Sequence, residues 1–497
     1  MSDQTSPAAR SRDLAALGLD RLRRSGPEGP VVLTDLAVDS RKVGAGTLFA
    51  ALPGTKVHGV RFAETAIAAG AAAILTDEEG FAQADEGSRA RAVWLVAEDV
   101  RATLAHAAAA WFDAQPDTMV AVTGTNGKTS VSSFTRQLWQ VAGLSAVNFG
   151  TTGVEGAVSA PLTHTTPEPV ELHGLLADLA DRGVTHAAME ASSHGLAQRR
   201  LDGVRLKAAG FTHLTRDHLD YHDTVEEYEA AKALLFTRVL PEGAVAVVNL
   251  DTQAGRRMAA LAEGAGRKVF GVGEAEDAKL RLVSARFTGE GQRITWEYDG
   301  ESHAASVPLI GAFQAENALL AAGLAVAAGA EPGAIFAAMN GLRPVAGRME
   351  LVARSRSGGA VYVDYSHTPD SVETALKALR PHVAGRLICI VGAGGDRDAG
   401  KRPLMGQAAA ENADAVIVTD DNPRSEDPAT IRAAVLKGAP GAREIGDRAE
   451  AIAAGVAELG PDDVLLIAGK GHETGQIVGD RVLPFSDAEV ARAAVAR

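Results

Sequence analysis

Cysteine is all but missing from this chain: Cys389 is the single one in 497 residues. No intramolecular disulfide and no multi-cysteine metal cage can form, which suits a reducing compartment. Cys389 lies within the apolar run Leu387-Ile388-Cys389-Ile390-Val391, which reads as a buried strand. Aromatic residues are also scarce, at 4%, so the cores have to be packed from small aliphatic side chains. Long hydrophobic runs are lacking too. None reaches the ~20 residues that cross a bilayer, and MSDQTSPAARSRDLAALG at the start has no continuous apolar stretch of a secretion signal. Basic charge is in deficit: 49 Lys and Arg stand against 63 Asp and Glu, a formal net charge of −14. That argues against nucleic acid or an anionic membrane as the main partner, since both need a basic face. It leaves room for a small anion held by a local cluster. A cytoplasmic protein acting as a monomer is expected.

What is abundant is Ala, Gly and Val, arranged as short apolar runs between longer Ala/Leu helical patterns. This alternation predicts an α/β fold with parallel sheets. Strands are expected at Thr118–Val122, Ala244–Val248, Leu387–Val391, Ala415–Thr419 and Val464–Ala468, each followed within two residues by Gly, Asp or Asn. Loops leaving the C-terminal ends of parallel strands are where such folds hold ligands. Three regions separate: residues 1–110, 111–345 and 346–497. No internal repeat is present.

The strongest local signal is Gly124-Thr125-Asn126-Gly127-Lys128-Thr129-Ser130, entered by an apolar strand and followed by a helical pattern starting at Lys128. In that geometry backbone N–H groups and a helix N-terminus converge on a polyphosphate, Lys128 reaches the β/γ-phosphates, and the Thr129 hydroxyl can ligate Mg²⁺. The general phosphate-loop pattern has Gly where this chain has Val122, so the match is to the tighter form. ATP binding is the expectation. Glu190, at the end of a second apolar run in Met189-Glu190-Ala191-Ser192-Ser193-His194, is placed to hold Mg²⁺, a hard cation that takes oxygen ligands. Ser193 and His194 side by side do not make a hydrolase, because no G-x-S-x-G elbow is present. His218 and His222 are spaced i, i+4, yet the Asp residues around them suit a Mg²⁺-associated loop better than a transition-metal site. Lys232 reads, on spacing alone, as the exposed partner of Glu229 on a helix.

In chain order, GTNGKTS, MEASSHGL, TRDHLDYH, YEAAK, GAFQAEN, GRME, DYSHTPD, GGDRD, DNPR and GKGHE resemble the motifs of the Mur ligases of bacterial peptidoglycan synthesis, in the branch that adds diaminopimelate. The resemblance covers nearly the whole chain, including DSRKVGAGTLFAALPG near the start. It implies a three-domain architecture with a central P-loop ATPase-like parallel sheet and a Rossmann-like C-terminal domain, handling UDP, ATP and amino acid in turn. It implies an ATP-dependent ligase that adds meso-2,6-diaminopimelate to UDP-N-acetylmuramoyl-L-alanyl-D-glutamate through an acyl phosphate.

By the same resemblance, Asn317, Arg348 and Asp364 join the phosphate loop as ATP contacts. Thr129 and Glu190 correspond to the ligands of one Mg²⁺, and His218 and a carboxylated Lys232 to those of a second, which overturns the bland reading of Lys232. Val38, Ser40, Thr55, Lys56 and Val57 correspond to the uridine pocket. His164, Thr165, Thr166, Ser192, Gln198 and Arg200 correspond to the muramoyl-dipeptide site. Asp421-Asn422-Pro423-Arg424, Arg397, Gly469 and Glu473 correspond to the diaminopimelate site. The physics agrees on Arg424, since a guanidinium pairs bidentately with a carboxylate and would repel the terminal ammonium of lysine. Two departures from the family pattern are Gln314 for the usual Asn and Ser366 for the more common Ala; His164 stands where an Asn can occur. A different class remains open: an ATP-driven switch, which would turn over ATP whatever the amino acid. A dinucleotide-binding oxidoreductase would rest on Gly392-Ala393-Gly394-Gly395, which lacks the full G-x-G-x-x-G.

Overall fold

A computed structural model describes residues 10–54, 57–215, 221–288 and 291–496. Thr55, Lys56 and His218 of the expected site lie outside these ranges. The described residues build three large sheets flanked by helices, the α/β class expected.

The first sheet runs in the order Arg23–Ser25, Val93–Val96, Ala73–Thr76, Thr47–Ala50, Asp35–Ala37, all parallel except its first strand. The central sheet has the order Gly153–Gly156, Ala146–Gly150, His186–Glu190, Thr118–Thr123, Ala208–Phe211, Val245–Asn249, Lys268–Gly273 and Leu280–Thr288, ending on Gly291–Tyr298 and Glu301–Val307. Its inner strands are parallel and its two margins antiparallel. The third sheet is ordered Glu350–Arg354, Ala360–Asp364, Val464–Ala468, Leu387–Val391, Ala415–Val418, Arg443–Glu444, parallel after its first strand. Strand ends differ from the sequence reading by one residue at Thr123, Val245, Asn249 and Val418. Cys389 is buried in the third sheet as expected, its thiol pushed up to about 12 by burial.

Covered faces explain the uninterrupted apolar strands. Along Thr118–Thr123, Met119 and Ala121 enter one core cluster while Val120 and Val122 enter the other, as period-2 alternation requires of a strand covered on both sides. One face is covered by the helices Lys128–Val141 and Ala312–Ala327. Lys128–Val141 buries Val131, Phe134 and Leu138 on a single stripe. Ala312–Ala327 is built of small residues and buried almost all round, so it lies close against the sheet; Gly323 sits over Val247 and Val272. Each fully buried Val or Leu contributes roughly 1.5–3 kcal/mol. The tryptophans Trp94, Trp111, Trp139 and Trp296 are all buried. Among the described residues no helix is long and apolar enough to cross a membrane.

Candidate active site

The central and third sheets deliver loops from the C-terminal ends of their parallel strands to one cavity of about 500 Å³. The strand Thr118–Thr123 ends in the phosphate loop. Gly124 and Gly127 have φ of 144° and 87°, a region open to glycine at little steric cost. At Gly127 a Cβ would stand 2.7 Å from Asn317 Oδ1. The helix beginning at Lys128 then aims its first N–H groups at the cavity. Lys128 Nζ donates to Gly124 O (2.9 Å) and Thr125 O (2.8 Å).

Behind the loop stands Glu190, buried at the end of its strand. Thr129 Oγ1 donates to Glu190 Oε1 (3.0 Å), and the Thr151 N–H donates to the same oxygen (2.9 Å). Thr151 Oγ1 donates to Oε2 (3.2 Å). Arg348 Nη2 donates to Thr129 Oγ1 (3.0 Å) and its guanidinium lies over the Tyr365 ring. The hydroxyl of Thr129 and the carboxylate of Glu190 form a hard oxygen donor set, which fits Mg²⁺.

Lys232 corrects the reading based on spacing. It sits on the helix Val225–Leu234, whose N-cap Thr224 accepts from Glu227 N, but only 1% of it is exposed. Its Nζ donates to Gly124 O (2.8 Å) and lies 4.1 Å from the Tyr228 ring centroid. Glu229 points away and pairs with Arg257 (2.7 Å). Helical phase decided this: positions 229 and 232 are neighbours on the helix, yet the core passes between them.

From the third sheet come Asp364 and Tyr365. Asp364 Oδ2 accepts from Met349 N (2.7 Å); burial pushes its carboxyl up, opposed by the Ser366 hydroxyl and by Arg348. Both departures from the family pattern are absorbed locally. Ser366 Oγ donates to Asp364 and contacts Ser371 O, and Gln314 Oε1 accepts from Asn317 Nδ2 (3.1 Å).

On the opposite wall, Thr166 Oγ1 donates to Glu190 O (3.1 Å) and accepts from Ser192 N (3.1 Å). Arg200 donates to Thr166 O (2.7 Å) and Gln198 Oε1 (2.8 Å), while Thr165 Oγ1 meets Thr151 Oγ1 at 3.1 Å. His164, Thr165, Thr166, Ser192 and Arg200 line the cavity; Gln198 stands behind it. Ser192 acts locally as an N-cap, accepting from Gly195 N (3.0 Å). Val38, Ser40 and Val57 lie on the first sheet's strand-end loops, outside this cavity. They are also outside a second cleft of about 800 Å³ bordered by Leu22, Pro53, Asp99 and Arg199.

The remaining loops leave neighbouring strands of the third sheet. Arg397 reaches the cavity. Arg424, at φ 50°, donates from Nη1 to Gly395 O (2.8 Å). Asn422 Nδ2 donates to Glu473 Oε2 (2.9 Å). Gly469 leaves no room for a side chain beside Asp421 Oδ2. Pro423, with Asp421, Asn422, Arg424, Gly469 and Glu473, is not among the residues that line the cavity.

Sequence reasoning passed over Thr151, Tyr365, His472 and Lys470. Thr151 carried a weak signal, since it follows the strand Ala146–Gly150. His472 Nε2 meets Thr151 O at 3.2 Å and its ring packs on Tyr365; desolvation, helped by Arg348, holds it down at about 4. The His472–Thr151 contact, between residues 321 positions apart, ties a strand-end loop of the third sheet to the residue that bonds Glu190, and no local pattern announces it.

Three family models match the chain: "Mur ligase family, catalytic domain" over residues 33–112, "Mur ligase middle domain" over 122–325, and "Mur ligase, glutamate ligase domain" over 347–471. The UDP-N-acetylmuramoyl-L-alanyl-D-glutamate–2,6-diaminopimelate ligase of Caulobacter vibrioides is 54% identical, covering 92% of this chain and 94% of its own. The protein of the same name from Bradyrhizobium diazoefficiens is 50% identical over 93% and 95%. A solved structure of a ligase of that name superposes with a TM-score of 0.67 at 35% identity, covering 93% of this chain and 95% of that one.

Proposed function

The chain belongs to the Mur ligase family, and from that premise we propose that it joins meso-2,6-diaminopimelate to UDP-N-acetylmuramoyl-L-alanyl-D-glutamate in an ATP-driven reaction. The observation that carries this reading is the shared cavity. The phosphate loop, Glu190, the Thr165–Arg200 wall and the third-sheet residues Arg348, Asp364 and Arg397 all border one space.

In the reaction, a γ-carboxylate oxygen of the D-glutamyl residue attacks the γ-phosphorus of ATP. The bond to the β,γ-bridging oxygen breaks, leaving an acyl phosphate and ADP. The amine of diaminopimelate then attacks the acyl carbon, an amide forms, phosphate leaves and the amine loses its proton. The loop N–H groups and Lys128 offset charge on the phosphoryl group in flight, a mostly electrostatic task. Arg348 steadies Thr129 from the third sheet, and the Thr166–Arg200 network positions the acyl donor beside Glu190. One Mg²⁺ held by Thr129 and Glu190, and a second served by His218 and a carboxylated Lys232, would supply further positive charge to the phosphate oxygens. A carbamate on Lys232 retains one N–H, which suits the bond to Gly124 O. Arg424 is the grip for the distal carboxylate of diaminopimelate and Glu473 the acceptor for its distal ammonium.

The test is phosphate release with ATP, Mg²⁺ and UDP-N-acetylmuramoyl-L-alanyl-D-glutamate, comparing meso-diaminopimelate with L-lysine. Product with diaminopimelate alone is expected. Turnover with lysine would defeat the role given to Arg424, and ATP hydrolysis indifferent to either amino acid would defeat the ligase.

A further inference from the structure

Lys470 is the least exposed cation of the third sheet's loops, with none of its side chain accessible. Its flanking residues Gly469 and Gly471 have φ of 119° and 55°, so the chain turns sharply on both sides and drives the lysine inward. There Nζ donates to Asn422 Oδ1 (3.0 Å) and to Glu473 Oε2 (2.8 Å). Asn422 Oδ1 also accepts from the Ile477 N–H (2.9 Å). Two donors on that atom fix it as the amide oxygen, so the other end of the amide is the NH₂ group. That group donates to Glu473 Oε2 (2.9 Å). One carboxylate oxygen of Glu473 is thus held twice, by an ammonium and by an amide. Among the described residues no hydrogen bond reaches Oε1. The Glu473 side chain is partly open, at 30% exposure, whereas its holders are buried.

We infer that Lys470 is a positioning residue for amino-acid specificity, pinning Glu473 by Oε2 so that Oε1 is presented to the distal ammonium of the incoming diamino acid. This rests on the reading of Glu473 proposed above. A carboxylate has about four lone-pair sites and can serve two ammonium groups at once. Held in advance, it gives up less rotational freedom when the substrate arrives. Without Lys470 only the Asn422 amide is left to direct the carboxylate.

The test uses the full chain with ATP, Mg²⁺ and the UDP-linked dipeptide, and compares meso-diaminopimelate with 2-aminopimelate, which keeps both carboxylates and lacks the distal ammonium. The wild type is expected to prefer diaminopimelate. Lys470→Met is expected to raise KM for diaminopimelate about tenfold while moving kcat and the KM for ATP less than about twofold, the pattern of lost ground-state binding. KM for 2-aminopimelate should stay put, so that the preference collapses. Equal losses with both amino acids would show a collapsed loop, and an unchanged preference would show an idle lysine; either overturns the inference. If Lys470→Met does not fold, Lys470→Gln, which keeps a donor at reduced reach, is judged by the same preference ratio. A wild type indifferent to the missing ammonium would instead overturn the reading of Glu473, and the inference with it.

Discussion

Lys128 is bonded to the carbonyls of Gly124 and Thr125, and in the proposed reaction it turns to the phosphate oxygens of ATP. Lys128→Ala is therefore expected to abolish phosphoryl transfer, a loss of about 10³-fold or more in ADP formation; near-normal ADP release would remove this residue from the mechanism. A second residue of consequence lies outside the cavity. Arg448 and Asp487 form a fully buried pair with two contacts of 2.7 Å, and Arg448 also donates to Ala468 O (2.9 Å). Arg448→Met leaves a buried carboxylate without its cation, and a loss of about 3–5 kcal/mol is expected in denaturant unfolding. Replacing both partners with apolar residues should restore most of it. The strand, glycine turn and helix of the phosphate loop were legible in the sequence because its residues are consecutive. Arg448 was not, since its partner is 39 positions away and an isolated arginine is ordinarily solvated.

The element to which the proposed function gives the nucleotide is the turn between the strand Thr118–Thr123 and the helix Lys128–Val141. Gly127→Ala meets a double obstacle there, a left-handed φ of 87° and Asn317 Oδ1 at 2.7 Å from the new Cβ. The backbone term alone costs about 1–2 kcal/mol. ATP binding measured by calorimetry should weaken by more than that figure implies, because the N–H groups of the loop are displaced together. Strand existence was legible from apolar runs, and strand ends slipped by one residue where the last residue is polar, as at Thr123 and Asn249. The helix carrying Lys232 was legible as well. Which way it faced was not, because Tyr228, Ala231, Lys232 and Ala233 are all buried and a lysine in that stripe breaks the usual pattern.

For the molecule as a whole, acid is expected to weaken the fold through its buried imidazoles. His173 is 3% exposed, its Nε2 meets Asp202 O at 3.2 Å, and desolvation lowers it from 6.5 to about 4. Above pH ~6.5 it is neutral folded or unfolded and contributes no slope. As pH falls from there towards ~4, the unfolded chain takes up a proton that the folded one refuses, so stability is lost over that window. Between about pH 6.5 and 5 the loss is roughly 2 kcal/mol for this residue. Thermal melting followed across that range should show it, and His173→Gln should flatten the slope; an unaltered slope would assign the acid sensitivity elsewhere.

Local chemistry determined much of this protein from the sequence alone. Consecutive residues set the phosphate loop, alternating and helical periods set the α/β layers, and the order of ten short motifs set the family. Distance in the chain marks what was left to tertiary structure. The contact of Arg348 with Thr129 spans 219 positions and that of His472 with Thr151 spans 321. Lys232 acquires its place from Gly124 O, 108 positions away, and the Lys470–Glu473–Asn422 clamp joins two strand-end loops. Such pairings leave no period or spacing behind them, because they exist only once separate strands have aimed their ends at the same space.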